Sequence, residues 1–133
     1  MLLITEDRQE RVRAWFLHIR QAQRRELDEL NAAGEPVPQP DLGLLRKVLA
    51  LIDNEPARWR QGQWNGCVVG WALHYAGIVR PADPSDPEAW LALGAYVLGL
   101  LPVEVRFLAD CDNDRIDIET TSRAIALRVG ETL

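Results

Sequence analysis

Apolar residues recur along this chain at helical spacing, and nowhere in the strict alternation of a half-buried strand. From Thr5, a candidate N-cap, the positions Val12, Trp15, Phe16, Ile19, Ala22, Leu27 and Leu30 carry Arg, Gln and Glu between them. That spacing predicts one long amphipathic helix within residues 1–33. Gly34 followed by Pro36, Pro38 and Pro40 stops it, because proline cannot continue a helix and pushes its predecessor towards extended geometry. Residues 34–41 therefore read as a stiff connector that lets the first helix pack at its own angle, only partly satisfied by its own domain.

Asp41 can cap a second helix whose apolar positions are Leu42, Leu45, Val48, Leu49 and Ile52, ending near Asn54 and Pro56. Between Ala57 and Gly66 at most one helical turn is expected, and from Cys67 to Ala76 the chain is apolar on nearly every side, which predicts a central helix. Gly77 suits a left-handed cap, and Pro81, Asp83, Pro84 and Asp86 make a rigid turn. With Asp86 as N-cap and Pro87 in first place, a further helix should run through Leu101 and end at Pro102. A short helix from Val103 to Ala109, an acidic loop from Asp110 to Asp114 and a last helix with Ile118, Ile125 and Val129 on one face complete the pattern. The fold class is all-α, a single domain built as a compact bundle of about five or six helices, with residues 42–133 as its core.

Composition narrows the partners. A chain of 133 residues with 47% apolar and 26% charged residues folds alone, without disulfides or metal. Its formal charge of -5 argues against broad attraction to nucleic acid or anionic lipid, and no basic residue lies between Gly62 and Gly77 to serve a recognition helix. The longest apolar stretches, Cys67 to Val79 and Ala89 to Leu101, fall short of the roughly 20 residues a membrane span needs. Glu6 and Asp7 interrupt the apolar start too early for a signal peptide, so the expected location is cytoplasmic.

The most distinctive local feature is Cys67-Val68-Val69-Gly70-Trp71-Ala72, with Pro56, Trp59 and Trp64 before it and Ala76-Gly77 after it. Together with the helix from Leu45 to Glu55 and a later Leu-Gly-Leu, this resembles a set of small uncharacterised proteins from actinobacteria and their phages, over about Leu44 to Asn113. Where members of that set often carry Cys-Gly-Thr, this chain has Trp64-Asn65-Gly66. The resemblance implies no activity. Trp64, Cys67, Gly70, Trp71 and Gly77 read as structural positions, with Gly70 marking a close helix approach.

Gln61-Gly62 followed by Cys67 at a helix N-terminus is similar to the papain-like arrangement, in which Cys67 would attack and Gln61 would stabilise an oxyanion. A thiolate also needs a histidine base, and His74 lies two turns along the same helix, about 10 Å away. Zinc held by Cys67, His74, Cys111 and His18 lacks paired close spacings. An EF-hand reading of the run from Asp110 fails at Arg115, Asp117 and Thr121. No metal and no cofactor is therefore expected.

What remains is a noncatalytic protein-interaction module, phage or prophage-encoded by the resemblance. Its unknown protein partner, or a second copy in a homo-oligomer, is met through the first helix or the acidic loop. Trp15, Ile19, Arg24, Asp110 and Asp112 are the candidate contacts. The alternative is a small cysteine-dependent enzyme or redox protein using Cys67 and Gln61.

Overall fold

The computed structural model describes residues 5–64, 66–78 and 85–133, and the expected turn at Pro81, Asp83 and Pro84 lies outside them. Among the described residues there are six α-helices and no strand: α1 (Glu6–Ala33), α2 (Leu42–Asn54), α3 (Val68–Tyr75), α4 (Pro87–Leu98), α5 (Pro102–Ala109) and α6 (Arg115–Arg128). One 3-10 turn, Pro56–Arg58, follows α2. The chain is the compact all-helical bundle that its pattern predicts.

Helix starts follow local capping chemistry. Thr5, Asp41 and Asp86 each accept a hydrogen bond from the N–H three residues on, and Pro87 takes the first turn of α4, where its missing N–H costs nothing. Gly34 and Gly77 both adopt left-handed backbone, Gly34 as the cap of α1 and Gly77 just past the end of α3. Within α3 the residues Val68 to Leu73 are buried on all sides, which matches the expected central helix, although α5 is the element that touches α1, α3, α4 and α6 together.

Two expectations need correction. The fourth helix stops at Leu98, short of Leu101, because Gly99 turns left-handed at φ 67° and carries the chain into α5, where Pro102 is the first residue and terminates nothing. A Cβ on Gly99 would overlap the Gln39 carbonyl oxygen, so the connector passes directly against this turn. A tight approach of α3 to α4 is made at Gly94, where an added Cβ would fall on the Val69 side chain, and Gly70 lies buried within α3.

The second correction concerns Ile19 on the first helix, which packs across α5 and α6. Ile19, expected to face a partner, is fully buried together with Ala22 and Gln23. The connector is equally fixed: the Asp41 N–H donates to the Leu98 carbonyl at 2.8 Å, and Arg128 Nη1 donates to the Pro38 carbonyl at 2.8 Å.

These elements meet at Glu104, which is 0% exposed beside an Arg128 side chain at 2%. Its carboxylate accepts from Arg128 Nε at 2.8 Å and Nη2 at 3.0 Å, from the Leu101 N–H at 2.8 Å and from Gln23 Nε2 at 2.7 Å. Gln23 also donates to the Ala124 carbonyl, so one amide bridges α1, α5 and α6.

Two stability predictions follow. Glu104→Ala strands a buried guanidinium and should cost about 3 to 5 kcal/mol in urea unfolding, and a loss below about 1 kcal/mol would remove the pair from its central place. Gly77 and Gly99 share positive φ, yet only Gly99 has backbone in the path of a Cβ. Gly77→Ala should then cost about 1 to 2 kcal/mol for the left-handed backbone alone, and Gly99→Ala distinctly more. Equal losses would show that the Gln39 approach is easily relieved.

Candidate functional site

Leucines left outside the core by their helical phase build the principal concave surface. On α1, Ile19 and Ala22 point inward, which turns Phe16 to the flank and leaves Leu17 59% exposed. On α6, Ile118 and Ile125 face the core and Leu127 stands 48% exposed. Val12, Phe16 and Leu17 form one wall of a groove of about 560 Å³, with Leu127 and Leu133 opposite.

The lips of this groove are charged. Arg13 of α1 and Arg123 of α6 line it, with Glu131 at the tail. A second cavity of about 450 Å³ continues from Leu17 along α1, bordered by Arg20, Arg24 and Asp28. Residues 13, 20 and 24 are separated by seven and four positions, so the three guanidinium groups project along one line of the helix, over about 16 Å. Among the described residues none of Arg13, Arg24 and Arg123 joins an ion pair, and Arg20 donates to Gln23 Oε1.

The residues singled out from sequence are dispersed. Trp15 is half-buried, donating its indole N–H to Thr121 Oγ1 at 3.2 Å and meeting Phe107 edge-on. Arg24 is exposed on the basic line. Asp110 and Asp112 are exposed, but the loop is folded on itself: the Asp112 N–H donates to Asp110 Oδ1, and Asn113 Nδ2 donates to the Phe107 carbonyl. Asp114 and Asp117 cap α6 reciprocally and hold Arg8 of α1 at 2.7 and 2.8 Å.

Gln61 and Cys67 lie close to one another, in structural roles. The Cys67 thiol is 1% exposed and its Sγ donates to the Trp64 carbonyl. Gln61 works as a clasp: Nε2 donates to the Leu108 and Asp110 carbonyls at the end of α5, and Oε1 accepts from the Trp59 indole and from the first N–H of α3. Trp71 donates to the Arg58 carbonyl and lies under the Arg58 guanidinium, and Trp64 packs edge-on to Trp90. His18 rests on Phe107 and His74 on Trp71.

Among the described residues one group of three donor side chains falls within 4.8 Å, namely Asp110, Cys111 and Asp112, all exposed. Cys67, His74 and His18 are not brought to it. The hydrogen bond from Arg115 holds the Asp53 carboxyl below its ordinary 3.8 and ties α2 to α6. No single helix among the described residues is long and apolar enough to cross a membrane.

The two thiols should separate cleanly. Cys111 is exposed and Cys67 is enclosed, so Ellman's reagent should titrate one thiol in the native chain and the second only after guanidinium is added. Rapid native reaction of both would show that the α3 N-terminus opens.

No family model, curated protein or solved structure matches the chain.

Proposed function

We infer that this chain is a noncatalytic protein-interaction module that receives an apolar segment of a partner protein in the groove between α1 and α6. The observation that carries this reading is the pair of leucines, Leu17 and Leu127, exposed on facing walls of one concavity whose frame is tied by buried hydrogen bonds. A folded chain of this size buries leucine readily, and facing exposed leucines in a concave site with charged lips match the form of a binding groove. The walls are set by the Gln23 bridge to α5 and α6 and by Arg8 on Asp114 and Asp117, so a partner meets a preformed surface. The acidic loop supports the reading less, since its backbone and two of its carboxylates are engaged within the fold. By its resemblance over about Leu44 to Asn113, the module is phage or prophage-encoded and its partner a host protein.

Site-specific photocrosslinking in the native host tests this. A benzoylphenylalanine at Leu127 should capture a defined partner, whereas the same group at Tyr96, which is exposed on α4, should not. Leu17→Asp should abolish the crosslink without lowering the melting temperature. Equal capture from both positions, or capture indifferent to Leu17→Asp, would count against the groove.

A further inference from the structure

The chain as a whole is acidic, with a formal charge of -5, yet the border of its main apolar groove is basic. Arg13 and Arg123 line the groove with Glu131, and Arg20 and Arg24 continue the α1 side into the adjoining second cavity, with Asp28. Arginines outnumber carboxylate side chains along both cavities, so this border is basic on an acidic chain. Electrostatic complementarity across an interface selects partners and steers their approach, and a local reversal specifies the sign of the partner.

Resting on the interaction reading above, we propose that the groove's occupant is an acidic amphipathic helix of another protein. Its apolar residues at i, i+3, i+4 and i+7 seat against Phe16, Leu17, Leu127 and Leu133, and its carboxylates flank them opposite Arg13, Arg123 and Arg24. The geometry fits a rod. The arginine line spans about 16 Å, equal to about three helical turns, and the second cavity extends the first in the same direction past Leu17. Arg13, Arg24 and Arg123 join no ion pair among the described residues, so a partner carboxylate displaces no internal one. A second copy of this chain fits less well, because a two-fold contact presents the same patch from both sides and would set the arginine line against itself. A flat anionic bilayer cannot enter a concave site between two helices.

The experiment uses the full chain and two synthetic peptides of about five turns that share one leucine face, one with glutamate and the other with lysine on the remaining positions. Fluorescence anisotropy at low salt should show the glutamate peptide binding at least about tenfold more tightly than the lysine peptide. The preference should fall with added salt and invert in an Arg13→Glu, Arg123→Glu double variant. Leu127→Asp, verified as folded by its melting curve, should abolish binding of both peptides. If Leu127→Asp abolishes binding but the wild-type chain takes both peptides equally, the groove stands and the acidic partner is overturned. If Leu127→Asp leaves peptide binding intact, the groove reading itself falls. Sedimentation equilibrium and phosphatidylserine vesicles supply the other occupants: a dimer dissociated by Leu17→Asp, or vesicle binding without peptide binding, overturns the proposal in favour of a second copy or a membrane.

Discussion

A carboxylate sealed from water costs several kcal/mol unless charge and hydrogen bonds replace its hydration. Glu104 meets that condition only if three regions of the chain are in place at once. Gln23 arrives from α1, Arg128 from α6, and the Leu101 N–H from the start of Glu104's own helix. Arg128 spends its remaining donors on the carbonyls of Pro38 in the connector and Gly99 in the turn after α4. Moving any one of these regions strands a buried charge. An apolar helix face alone tolerates sliding and rotation, and this polar centre selects a single register from among those packings.

That constraint explains which parts of the fold were legible in the sequence. Helix starts were, because a cap is a matter of three neighbouring residues, as at Thr5, Asp41 and Asp86. The end of α4 was not, because Gly99 is needed there by Gln39, a residue on a different element far away in the chain. The docking of α1 was hidden for the same reason. Gln23 and Glu104 look like surface residues until they are seen to be partners. A usable signal did exist: Gln23 and Glu26 fall on the same stripe of α1 as Ile19 and Ala22, and Glu26 accepts the Val103 N–H in the first turn of α5. Polar residues in line with an apolar stripe are placed where burial demands a hydrogen-bond partner.

The site divides in a similar way. Trp64, Trp71 and Gly77 were readable as structural because a bulky indole or a left-handed glycine has few alternatives. Gln61 before a helical cysteine suggests an oxyanion donor, and the structure adds a role that no local pattern signals, its amide joining the end of α5 to the start of α3. The groove could not be assembled from sequence, because its walls come from opposite ends of the chain. Only Leu17 hinted at it, as a leucine just beyond the stripe that the core consumes.

Groove and polar centre are joined through one turn of α6. Leu127 and Arg128 are consecutive, so their side chains diverge by about 100° around the helix axis. Arg128 turns inward to Glu104 while Leu127 turns outward into the groove. On α1 the same division separates Gln23, facing Glu104, from Leu17 and Arg24 on the outer face. The contacts that hold the two helices together thereby fix the spacing of the leucines and arginines that a partner would meet. Little wall reorganisation is then needed on binding, and affinity depends on the match of apolar face and charge. This coupling also predicts how the surface fails: loosening Glu104 should disorder the groove at a distance, whereas charge changes at Arg13 or Arg123 should alter recognition and leave the frame intact.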